Sequence, residues 1–238
     1  VLIIYTSFPF LASAYLLYNK LLYYANFVMI KHEKSIIPEG KQMKKYEEEH
    51  YLMENIKDKI YPWVKYELRD SHALNGKNIS QKDTPLIAFA GELTVLLVIQ
   101  RGEDAYEIIK DNMIPPDFDI KQLYYTACEN LARDIEFVVS NTWYGGFGIV
   151  ADGHHEASSL CLQHIWNVCA EKLDDDLVLM VPSKDLVLFA PAKQEEVVGK
   201  MIDFGKEAYE RSQDRISTEL LIFTKDGKEL LVYDKMQH

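Results

Sequence analysis

The sequence predicts an α+β (mixed α/β) domain, with a mostly antiparallel sheet assembled from hairpins and helices packed on it. Two observations carry this prediction. Apolar, β-rich runs come in pairs joined by short turns, at Gly91-Glu92, at Pro182 to Asp185 and at Lys225 to Lys228. Between and after them, stretches beginning at Asp119, Ala157 and Glu195 repeat apolar residues at helical spacing. Hairpins outnumber helical crossovers, and strands joined by short turns run antiparallel.

The chain has 238 residues, enough for one sizeable core. With 48% hydrophobic and 26% charged residues it has the balance of a globular protein rather than a disordered one. We divide it into an apolar extension (1–28), a charged helical lead-in (29–50) and a single globular domain (51–238). Val1 to Tyr18 carries no charge, and Lys20 is the only charge up to Val28. Three readings of that extension stand side by side. It is a membrane anchor, since a span needs about 20 apolar residues; it is a helix docked on the core; or translation starts at Met29, ahead of the polar run Ile30-Lys31-His32-Glu33-Lys34. An anchor followed by Lys31 and Lys34 would leave the main domain in the cytoplasm, the compartment expected in every case.

In chain order, Gly40 to Lys57 reads as a charged helix with a stripe at Tyr46, His50, Met53 and Ile56, ended or kinked by Pro62. Arg69 to Pro85 reads as a loop. Leu86 to Ala90 and Leu93 to Ile99 form a hairpin whose Gly91 suits a type II′ turn, and their nearly unbroken apolar character suits strands covered on both faces. Asp119 to Ser140 is the clearest helix, with Ile120, Leu123, Tyr124, Ala127, Leu131, Ile135 and Val138 on one face. Asp119 and Gln122 supply a capping-box pattern at its start. After glycines 145, 146 and 148 comes a strand, Phe147 to Ala151. A second helix, Ala157 to Leu173, turns Ala157, Leu160, Cys161, His164, Ile165 and Val168 inward. Leu177–Val181 and Leu186–Phe189 pair, and Glu195 to Arg211 is a third helix. Leu220–Thr224 and Leu230–Tyr233 close the chain around Asp226-Gly227, the strongest local hairpin signal in the chain.

Composition excludes some functions. The charge sum is −11, from 26 basic and 37 acidic residues, with no long basic run. That field repels a phosphate backbone, so no nucleic-acid partner is expected. Cys128, Cys161 and Cys169 are odd in number, lack paired spacing and lie among apolar residues, which fits free thiols in a reducing compartment. The glycines match neither a P-loop nor a dinucleotide fingerprint. Neither a cofactor nor a metal is expected.

Asp152-Gly153-His154-His155-Glu156 is the densest polar cluster. Carboxylates and imidazoles can exchange protons or bind metal, yet neighbouring histidines diverge on any regular element. Glu156 and His164, eight residues apart on a helix, would be separated by about 12 Å of rise. The plainer expectation is a polar loop stabilising a helix start, with His164 a satisfied core histidine. Trp143, in Trp143-Tyr144-Gly145-Gly146-Phe147-Gly148, is either a ligand-binding ring or a cap on the core. Asp174-Asp175-Asp176 and Glu47-Glu48-Glu49 read as solvated surface.

Several segments carry a resemblance: Ile60-Tyr61-Pro62, the Leu86–Ile99 hairpin, Ala127 to Leu131 and Glu156-Ala157-Ser158-Ser159-Leu160. Val181 to Phe189 and the closing hairpin extend it. Over about residues 56–233 the chain resembles a bacterial family of unknown function, the YtpQ-type proteins. The resemblance implies an intracellular α/β domain and no particular reaction. The expected function is a non-enzymatic binding or regulatory domain that recognises another protein through a sheet edge or the Trp143 loop. The alternative is a hydrolase-like enzyme centred on Asp152, His155, Glu156 and His164, and a membrane is involved only if residues 1–28 are a true anchor.

Overall fold

The computed structural model describes residues 56–66, 72–74, 77–79, 83–102, 105–114 and 118–233. The proposed lead-in helix and the apolar extension lie outside the described residues. The strands are β1 (Ile60–Tyr66), β2 (His72–Leu74), β3 (Lys77–Ile79), β4 (Ile87–Ala88), β5 (Leu93–Gln100) and β6 (Tyr106–Ile108). They continue with β7 (Val138–Asn141), β8 (Phe147–Val150), β9 (Leu177–Ser183), β10 (Leu186–Pro191), β11 (Leu220–Phe223) and β12 (Leu230–Val232). The helices are α1 (Ile120–Asp134), α2 (Gln163–Leu173) and α3 (Glu195–Arg211). All strand pairs are antiparallel, so the fold is the predicted α+β arrangement. Among the described residues, no helix is long and apolar enough to cross a membrane.

The larger sheet runs β12-β11-β9-β10-β8-β7. Its central strands alternate between two cores. Leu177, Leu179, Val181, Val187 and Phe189 face the main core, whereas Val178, Met180, Leu188 and Ala190 meet Val198 and Met201 of α3. Each side chain therefore leaves water on one face or the other, which explains the apolar runs. Gly205 lets α3 approach closely, since a Cβ there would lie 2.5 Å from the Met180 sulfur. In the smaller sheet β5 pairs with β1 on one side and with β4 and β6 on the other, and α1 packs against β1.

A hairpin forms at Gly91, but its first strand is only Ile87–Ala88, and the register Ile87↔Val95, Ala88↔Thr94 centres an odd-length loop on Gly91 instead of the expected two-residue turn. Gly91 has φ +57°, and Leu93 N–H donates to Ala90 O at 3.1 Å to close the turn. In the last hairpin the residue with positive φ is Lys228 (+54°), not Gly227, because Thr224 and Lys228 close a wider turn.

Several expectations are corrected. Pro62 does not end a helix: it lies inside β1 opposite Leu97, on an edge strand where a missing N–H is tolerated. Arg69 to Pro85 is not all loop, for β2 pairs with β3 from His72↔Ile79 to Leu74↔Lys77. The residues between those strands are Asn75-Gly76, itself a hairpin signal. The first helix stops at Asp134 rather than Ser140, and Val138 begins β7; the β-branched pair Val138-Val139 pairs with Val150 and Ile149. The second helix is split at Leu162 into a 3₁₀ turn (Ala157–Cys161) and α2. The break changes which residues face inward, so Trp166, Asn167, Cys169 and Ala170 are buried while His164 is only half-buried.

The second acidic triplet is not solvated surface throughout. Asp175 is buried and its carboxylate accepts from the backbone N–H of Asp176 and of Lys193, both at 2.9 Å. Asp176 accepts from Lys225 N–H at 2.7 Å. Asp174 takes the left-handed conformation (φ 54°) that ends α2. The triplet ties the end of α2 to the approach to α3 and to the last hairpin.

Candidate functional site

Strand β8 separates the two candidate regions, with Trp143 before its first residue and the Asp152–Glu156 cluster after its last. In the cluster, Gly153 has φ +81°, and the tight turn there lets two carboxylates collect backbone donors. Asp152 Oδ1 accepts from the N–H of His154 (3.0 Å) and of His155 (2.9 Å). Glu156 Oε1 accepts from the N–H of Ala151 (2.9 Å) and of Gly153 (2.8 Å). The two acids brace the turn itself rather than the helix start: Glu156 precedes the 3₁₀ segment without a capping side-chain hydrogen bond.

One feature goes further than a turn. Asp152 Oδ2 lies 2.7 Å from His155 Nδ1. Partial burial opposes ionisation of Asp152, but the His155 hydrogen bond and the two backbone donors outweigh it and hold the carboxyl well below the usual range. An ionised carboxylate only accepts, so Nδ1 carries the proton and Nε2 points the other way. His155 is 1% exposed, between the rings of Tyr61 (5.3 Å) and Tyr106 (5.5 Å, edge-on). Its Nε2 and the second Glu156 oxygen are buried without a hydrogen-bond partner.

The remaining candidates separate. His154 lies 5.7 Å from the Tyr106 ring. His164, on α2, makes no hydrogen bond to the cluster, and burial lowers its pKa. Of the candidate residues, the structure brings Asp152 and His155 together and leaves His164 apart from them. The sequence reading missed Tyr61, Trp63, Lys65 and Tyr106, because β1 and β6 were not recognised as strands. Tyr61, Trp63 and Lys65 alternate along β1 and so share one face. Tyr61 donates to Asp134 at 2.8 Å, and burial with that bond pushes its hydroxyl up to about 12.

Trp143 is 77% exposed. The turn under it is closed by Thr142 N–H to Gly146 O (2.9 Å) and by Gly145 N–H to Thr142 O (3.2 Å), with Gly145 at φ +95°. The indole stands edge-on to Tyr144 (5.7 Å) and to Phe204 of α3 (6.1 Å). Tyr144, not Trp143, is the ring that caps the core: it is buried beside Val178 and Met201.

Among the described residues no group of three His, Cys, Asp or Glu side chains is placed to hold a metal ion. Burial raises the Cys128 thiol, further raised by Cys161, and takes Cys169 up to about 11. These thiols are poor nucleophiles. Comparison of the chain with protein-family models, curated proteins and solved structures finds no match.

Proposed function

We propose that this chain is a binding domain that recognises another protein through Trp143. The observation that carries the reading is a tryptophan left 77% exposed on a turn fixed by two backbone hydrogen bonds. A large aromatic with two side-chain torsions, presented on a fixed turn, loses little entropy on binding, and such rings dominate protein interfaces. Phe204 widens the apolar contact beside it. The resemblance to the YtpQ-type family, which rests on the quoted residues alone, supports an intracellular setting and adds no reaction.

The test is recovery of a stoichiometric partner from the native host by wild type, Trp143→Phe and Trp143→Ala. A defined protein retained by wild type and by Phe but lost with Ala, at unchanged thermal midpoint, is expected. If no protein distinguishes the three baits, the reading fails.

The hydrolase-like alternative is favoured by one observation, the 2.7 Å pairing of Asp152 with His155 Nδ1. A carboxylate on Nδ1 leaves Nε2 as a base, the arrangement of nucleophile-activating dyads. Two facts weigh against it. The ring is 1% exposed between two tyrosines, and His164 stands apart. Ester or amide hydrolysis that disappears in His155→Gln would reverse the order of the two readings.

A further inference from the structure

A basic side chain is buried where no described residue forms an ion pair with it. Lys65 is 8% exposed and forms no ion pair with any described residue. Its ammonium lies over the Trp63 ring, 5.3 Å from the centroid. Burial lowers its pKa to about 8; Asp214 acts against that shift and Lys184 with it. Asp214 is already engaged by Lys184 at 3.2 Å.

Two neighbouring groups lack a hydrogen-bond partner. Lys65 pairs across the sheet with Thr94 of β5, and directly opposed residues of an antiparallel pair place their side chains on the same face. Trp63, two residues earlier on β1, shares that face. The Trp63 indole Nε1 and the Thr94 hydroxyl are both buried without a hydrogen-bond partner. An ammonium and an indole N–H can only donate, and a threonine hydroxyl can donate. Two buried donors without a partner, beside a cation with no ion pair among the described residues, call for an acceptor carrying negative charge.

We propose that Lys65, Trp63 and Thr94 form a binding site for a small oxyanion, a carboxylate or a phosphoryl group, entered past the partly exposed Lys184–Asp214 pair. The ammonium supplies the charge, and the indole N–H and hydroxyl orient the oxygens. The site is independent of Trp143, and neither proposal depends on the other.

The experiment uses the full chain in a buffer free of oxyanions. Acetate and inorganic phosphate are titrated separately, with sodium chloride at matched ionic strength as control, following the thermal midpoint and the ¹³C resonance of the Lys65 ε-carbon. A saturable rise in midpoint with a shift of that resonance, absent in chloride, is expected for at least one oxyanion. Acetate alone identifies a carboxylate ligand, and phosphate alone a phosphoryl ligand. Lys65→Met should weaken binding roughly ten- to a hundred-fold, the value of a charge-assisted hydrogen bond; Thr94→Val should weaken it less. Should Lys65→Met fail to fold, the Thr94→Val titration and the wild-type resonance decide the matter. Identical wild-type responses to acetate, phosphate and chloride overturn the proposal, as does full binding by Lys65→Met.

Discussion

Strands β9 and β1 are both buried along nearly their whole length, yet they are buried in different ways. Every side chain of β9 from Leu177 to Val181 is apolar and enters one of two cores. In β1 a proline, a lysine and a tryptophan with an unpartnered N–H occupy equally buried positions. The first strand is accounted for by burial of apolar area. The second buries groups whose hydration is not fully replaced, and such exceptions concentrate where a protein does something besides fold. If the comparison holds, truncation along β9 and β10 costs stability, whereas removing the charge of β1 gains it.

The largest effect is expected at Phe189. It is fully buried in the main core, stacked on Phe147 at 5.2 Å and edge-on to Trp166 at 5.4 Å. Phe189→Ala should destabilise by about 3–5 kcal/mol, measured by urea unfolding. A loss under about 1 kcal/mol would mean that this sheet is not packed as described.

Lys65→Met should act in the opposite direction. A lysine whose folded pKa is lowered binds fewer protons folded than unfolded, so its penalty is complete below the folded value and relieved as pH rises toward the unfolded one. The window runs from about 8 to the ordinary 10.5. In oxyanion-free buffer the substitution should stabilise the protein at pH 7 by up to about 3 kcal/mol, with the advantage fading above pH 8. A pH-independent difference would show that Lys65 keeps its ordinary pKa and that the contrast between the strands is false.

The same contrast explains what was legible in the sequence. Where one physical demand acted alone, the reading succeeded: α3 was placed at Glu195–Arg211, and the β9–β10 pair was found because nothing interrupts its apolar run. Where demands conflicted, it failed. In β1, Pro62 reads as a helix breaker, and only the antiparallel pairing with β5 overrides it. The Ala157–Leu173 helical repeat survives the break at Leu162, so spacing alone put His164 inside. Of the candidate site, the Asp152–His155 pairing is local and was visible; Tyr61 and Tyr106 reach it only through tertiary packing.

The buried turn should respond at an intermediate level. Glu156→Ala removes the acceptor for two backbone N–H groups and should cost about 1–3 kcal/mol. His155→Ala should fall in the same range, and His164→Ala below it because that ring is half-buried. Urea midpoints give the order directly. A His164 effect larger than that of His155 would return the inner face of the second helix to the one first expected.

The smallest effect on stability belongs to Trp143→Ala. Truncating a core tryptophan costs about 3–5 kcal/mol, but that figure requires lost burial and a cavity, and a ring 77% exposed supplies neither. What remains are its edge-on approaches to Tyr144 and Phe204. Aromatic pairs are worth about 0.5–1.5 kcal/mol in double-mutant cycles, and exposed substitutions usually stay within about 0.5. The turn itself is held by backbone hydrogen bonds that alanine retains. The urea midpoint should therefore move by no more than the equivalent of about 0.5 kcal/mol. A cost above about 1.5 kcal/mol would make Trp143 part of the core beside Tyr144, and an exposed ring kept for a partner would no longer be the reason it is there.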